Sequence, residues 1–129
     1  MTDFDPISKV VDKQLTISDE TVQQLNTFKS AEKFRDLPGT NTIDEKERLS
    51  AILDHLVDKL LAEVRIHPSK RWVLKQFQSA LEATQMEDTE AKEHFGVELN
   101  KIMAILGIES SDGLINFYRY GELAYLLKQ

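Results

Sequence analysis

Histidine is the side chain best suited to acid–base or metal chemistry near neutral pH, and the chain carries three: His55, His67 and His94. None stands in a spacing that builds a site. A di-iron bundle needs a glutamate three residues ahead of a histidine on facing helices, and here Ile52 and Ala91 occupy those positions before His55 and His94. Glu90 and His94 fall one helical turn apart, but two ligands do not make a metal site. His55 lies on a polar helix face between Asp54 and Asp58, and His67 lies near that helix's end, where a cation suits the dipole. His94 follows Glu93 and precedes Phe95. All three are read as solvated.

There is no cysteine, which removes disulfides, thiolate metal sites and a cysteine nucleophile together. Gly107, Gly113 and Gly121 read as helix punctuation, and no phosphate loop or dinucleotide fingerprint appears. Carboxylates are plentiful, yet all are expected on exposed helix faces, so no general acid–base pair is assigned. The sequence therefore names no catalytic residue, metal ligand or cofactor.

Two charged clusters remain. The first is His67-Pro68-Ser69-Lys70-Arg71-Trp72, followed by Lys75. Cations in the first turn of a helix oppose its dipole, a placement that can mark an anion site built from Ser69, Lys70, Arg71 and free backbone N–H groups. The alternative is that Lys70 and Arg71 pair with acids of a neighbouring helix while Trp72 fills the core. The second cluster is acidic: Glu87, Asp88, Glu90, Glu93 and Glu98 against the single base Lys92. Acids stabilise a helix N-terminus, but Glu87, Asp88, Glu90 and Glu93 would also guide a basic protein to a docking surface.

The elements that position these residues are helical. Leu49, Ile52, Leu53, Leu56, Val57, Leu60, Leu61 and Val64 recur at helical spacing, which predicts an amphipathic helix from about Asp44 to Ile66, stopped by Pro68. Ser18 caps an earlier helix carrying Val22, Leu25 and Phe28, and Ser69 caps a later one carrying Trp72, Val73, Phe77, Ala80, Leu81 and Thr84. Asp88 or Thr89 opens a helix with Ala91, Phe95, Leu99, Ile102, Met103 and Leu106 on one side, and Gly107 ends it. Ser110-Ser111-Asp112 caps a short last helix bearing Leu114, Ile115 and Tyr118, which Gly121 closes. The breakers of Leu37-Pro38-Gly39-Thr40-Asn41-Thr42 form a loop, and Thr42 with Glu45 has capping-box spacing. Residues 1–17 form an irregular arm, in which Leu15 and Ile17 dock as a short extended segment. The tail over 122–129 is apolar enough to dock. The expectation is an all-α single domain, a compact bundle of four to five helices.

The string Asp88-Thr89-Glu90-Ala91-Lys92-Glu93, then Ile105-Leu106-Gly107-Ile108-Glu109-Ser110-Ser111-Asp112-Gly113-Leu114-Ile115-Asn116 and a closing Tyr120-Gly121, resembles a bacterial family classed as a domain of unknown function (number 4844). The resemblance covers roughly the last third of the chain. It implies a small helical bacterial protein and carries over no active-site residue. Helix ends account for Gly107, Ser111 and Asp112, a loop hydrogen bond for Asn116, and a locked last turn for Tyr120.

With 129 residues, 41% hydrophobic and 29% charged, the chain has an ordinary globular composition. Its net charge of −6 disfavours nucleic acid and anionic lipid and favours a basic partner. No signal peptide or membrane-spanning run is seen, so a cytoplasmic protein is expected. The first functional reading is a non-enzymatic acidic binding protein, such as an immunity protein or antitoxin-like inhibitor of a basic toxin or nuclease. A second is a small helical enzyme or ligand-binding module with an anion site near Lys70, Arg71 and Trp72. A third is a homodimeric structural subunit.

Overall fold

The structure, a computed structural model, describes residues 5–31 and 43–120. The expected loop and capping box at 37–42, the Tyr120 side chain, Gly121 and the tail lie outside the described residues. Five helices follow in order: α1 (Asp19–Ser30), α2 (Ile43–Glu63), α3 (Lys70–Ala83), α4 (Thr89–Leu106) and α5 (Leu114–Tyr120), with a 3-10 turn over Pro6–Lys9 ahead of them.

Their ends are set locally. The Ser18 hydroxyl accepts from the Thr21 N–H, and Thr21 returns the favour to the Ser18 backbone, a reciprocal capping box. Ser69 and Asp88 accept from the N–H groups of Trp72 and Ala91, which satisfies donors that the first helical turn leaves over. Gly107 takes the left-handed conformation at φ 78° to end α4. The expected run of α2 to Ile66 instead closes at Glu63, where a turn over 64–66 begins. Both Ile66 and His67 donate to the Glu63 carbonyl, so the chain unwinds gradually before the backbone restriction at Pro68.

Each helix packs on two others, closing a ring in the order α1, α2, α3, α5, α4 and back to α1. One apolar core fills it, with Leu25, Leu53, Leu60, Phe77, Phe95 and Leu99 fully buried. The α2 stripe is as expected, with Leu49, Leu53, Leu56, Val57, Leu60 and Val64 inside. Gly96 matters for closure: a Cβ there would lie 3.3 Å from the Arg119 Cδ and 3.6 Å from the Ile115 Cγ2. Its absence lets α5 settle on the middle of α4, at the usual helix-propensity cost of a glycine, about 1 kcal/mol.

Residues 5–17 are a structured strap. Pro6, Ile7, Val10 and Leu15 are buried in the core. Around Gln14 the strap runs antiparallel to the α2–α3 connection and pairs with Ser69. The Leu15 N–H donates to the Pro68 carbonyl at 2.7 Å, and the Lys70 N–H to the Lys13 carbonyl at 2.8 Å. The extended docking segment expected from Leu15 and Ile17 is therefore present.

Candidate functional site

At the start of α3, Ser69, Lys70 and Arg71 are brought together, but each has a partner within the chain. Ser69 caps the helix. The Lys70 ammonium, its side chain only 11% exposed, donates to Asp112 Oδ2 at 2.8 Å. The Arg71 guanidinium donates to the Val10 carbonyl at 2.7 Å. The Arg71 N–H, the donor an external anion would take, is bonded to Asp12 Oδ1 at 3.0 Å. The strap thus supplies its own carboxylate to this helix N-terminus. Trp72 is half-buried rather than a core residue, with His67 stacked on it at 5.3 Å between ring centroids.

Asp112 joins three parts of the fold. Its Oδ2 accepts from the Val11 N–H at 2.8 Å as well as from Lys70, so strap, α3 and the α4–α5 connection meet at one oxygen. Its backbone lies in the left-handed region at φ 54°, a conformation that aspartate tolerates better than most residues. Burial by itself would raise the Asp112 carboxyl, but the Lys70 ammonium and the Val11 N–H outweigh it and hold the group below the ordinary aspartate range. The Arg71 N–H is the main cause holding Asp12 low as well. A carboxylate whose folded pKa is depressed stabilises the fold above its unfolded pKa, and that contribution is lost as pH falls through the folded value. The strap is therefore fully tied at neutral pH and should loosen from about pH 4 downward. Hydrogen exchange at the Val11 and Leu15 amides would show it. Protection unchanged until the whole molecule unfolds would mean that the two carboxylates do not hold the strap.

The acidic cluster is divided by the structure. Glu87 makes a two-pronged pair with Arg48 of α2, at 3.0 and 3.2 Å. Asp88 caps α4. Glu90 is exposed, its carboxylate 3.9 Å from His94 Nε2, and Glu93 is half-exposed. Beside them stands a residue the sequence reading passed over: Met86, in the α3–α4 turn, is 97% exposed. The turn that presents it is fixed by the buried Thr84, whose hydroxyl donates to the Leu81 carbonyl, and by the Glu87 N–H bonded to the Thr84 carbonyl.

Two expectations fail on α4. His94 is buried, not solvated, and Glu98 is 3% exposed, with Lys101 reaching its carboxylate at 3.2 Å. The reason is the ring: α4 is covered by α1 on one side and α5 on the other, so more of its circumference is inside than a single apolar stripe suggests. His55 remains exposed, as expected. On the far side of α3, Tyr118 of α5 donates to Glu82 Oε2 at 3.2 Å and accepts from Gln78 at 3.1 Å. Burial, with Glu82 adding to it, pushes its phenol up.

A groove of about 600 Å³ runs between α2 and α3. Ala51, Ser79 and Ala83 border it, and Ile52, Leu56 and Ala80 form its floor.

Among the described residues no group of three His, Asp or Glu is placed to hold a metal ion, and no helix is long and apolar enough to cross a membrane. Fold and surface together define a five-helix bundle whose polar groups mostly serve its own architecture. Over residues 16–123 the chain matches the family described as Domain of unknown function (DUF4844), and it belongs to that family. The likeness thus extends over most of the chain, well beyond the C-terminal third that carries the resemblance in sequence. Comparison with curated proteins and with solved structures gives no match.

Proposed function

We propose that the protein is a non-enzymatic binding protein of the bacterial cytoplasm that engages a basic protein, in the manner of an immunity protein or antitoxin against a toxin or nuclease. The observation that carries this reading is the α3–α4 turn. Met86 stands almost wholly in water, with Glu87 and Asp88 following it and Glu90 and Glu93 on the first turns of α4. An apolar, adaptable side chain ringed by charge has the anatomy of an interface anchor with a polar rim. The chain's net charge of −6 supplies the long-range attraction. Because the Arg48 pair and the Asp88 cap fix the turn, little ordering remains to be done on binding.

The test begins with a partner found by co-purification or gene neighbourhood. Rim charges act chiefly on association rate. Reversing Glu90 and Glu93 to Lys should slow association several-fold at low salt and much less at high salt, with the melting temperature nearly unchanged. Met86→Ala should instead speed dissociation. An acidic partner, or an association rate indifferent to the double reversal, would sink the reading.

A further inference from the structure

The α2–α3 groove is lined by no residue of the α3 start or of the acidic turn. The two helices are joined by the short connection 64–69. Ala51, His55 and Lys59 line the groove from α2, and Gln76, Ser79 and Ala83 line it from α3. One turn beyond Ala51 and Ala83, the Arg48–Glu87 pair ties the two sides together. The floor is apolar and the volume is that of a small-molecule site.

Its charge runs against the rest of the molecule. The chain has 22 acids against 16 lysines and arginines, yet among the described residues no carboxylate lines this groove, whereas Lys59 and His55 do. Among the described residues neither the His55 imidazole nor the Ser79 hydroxyl has a hydrogen-bond partner, while the Gln76 amide donates to the Trp72 carbonyl. Among the described residues the Lys59 ammonium pairs only with Glu63 on its own helix, and both side chains are over a third exposed. Such an exposed pair one turn apart is weak, so an incoming anion displaces Glu63 at little cost.

We propose that this groove binds a small amphipathic carboxylate, with its apolar body on Ile52, Leu56 and Ala80 and its head at Lys59 and His55. The lysine supplies the charge, and the imidazole supplies an N–H donor in either protonation state. The apolar floor demands the hydrocarbon body, and the one-sided cationic mouth demands the anionic head.

An NMR titration of the whole protein with decanoate, and separately with decanol, tests this. Decanoate should shift the amides of Ala51, His55, Ser79 and Ala83 saturably. A His55→Gln, Lys59→Gln variant should bind decanoate about tenfold more weakly, the loss of one charge-assisted contact, and should bind decanol as before. Ser79→Leu, a change at an exposed position, should fill the groove and abolish both. Equal binding of decanoate and decanol by the unaltered protein would overturn the carboxylate site, as would shifts scattered over the surface or no saturation in the millimolar range. Concentration-dependent shifts of the same amides without any ligand would overturn it too, and would assign the groove to a second copy of the chain. The groove and the α3–α4 turn share no residue, so either assignment can fail alone.

Discussion

Phe77→Ala is expected to cost about 3–5 kcal/mol of stability, the largest loss of any single truncation considered for this protein. Phe77 is fully buried on α3, the helix that packs on α2, on α5 and on the 3-10 turn of the strap. Removing the ring takes away its transfer free energy and leaves a cavity that three neighbouring elements would have to shift together to fill. Urea unfolding should show a lower midpoint with an unchanged slope. A loss under about 1 kcal/mol would mean that the ring sits at a loosely packed site able to collapse. Leu56 and Leu60 of α2, both buried, should behave similarly on truncation to alanine, at about 2–5 kcal/mol each.

Asp112→Ala should be the most damaging change of a polar residue, at about 2–4 kcal/mol. It removes two charge-assisted hydrogen bonds and leaves the largely buried Lys70 ammonium without its carboxylate. It also places alanine at a positive φ, where aspartate's tolerance is lost. Asp112→Asn separates these contributions. It keeps the Oδ acceptor for Val11 and suits the left-handed backbone, so its loss should be clearly smaller and should come from the Lys70 charge. Equal losses for the two variants would show that geometry contributes nothing and the ion pair is everything. Asp112→Lys, which sets two ammonium groups against each other, should detach the strap outright, and hydrogen exchange at Val11 would read it.

What the sequence made legible is what a few consecutive residues decide. Ser18, Ser69, Asp88 and Gly107 end helices through bonds to residues three or four positions away, and the α2 stripe needs only its own period to be seen. What it hid depends on distant partners. Glu98 and His94 look like solvent-facing positions until α1 and α5 both close on α4. For Lys70 and Arg71 the sequence offered either an anion site or pairing with acids of a neighbouring helix, and it could not name the partners. The carboxylate at that helix start is Asp12, 59 residues before Arg71, and the one at Lys70 is Asp112, 42 residues after it. No local pattern announces either. Met86 escaped attention for the opposite reason: an isolated apolar residue in a turn carries no period, and only the structure shows that it is 97% exposed.

The bond from Val11 to Asp112 joins residues 101 positions apart, and that separation bears on how the molecule comes together in time. Closing so long a loop carries an entropic cost that nothing repays until the intervening helices are already in place. On that ground the strap is expected to add last. Asp112→Asn should then raise the unfolding rate in stopped-flow kinetics while leaving the folding rate nearly unchanged; an equal slowing of folding would overturn this order. Interactions formed so late act on the rate of unfolding and leave the rate of folding almost alone. With that outcome Asp112 and its partners would act as a clasp, which does little to assemble the helices and much to keep the assembled protein from coming apart.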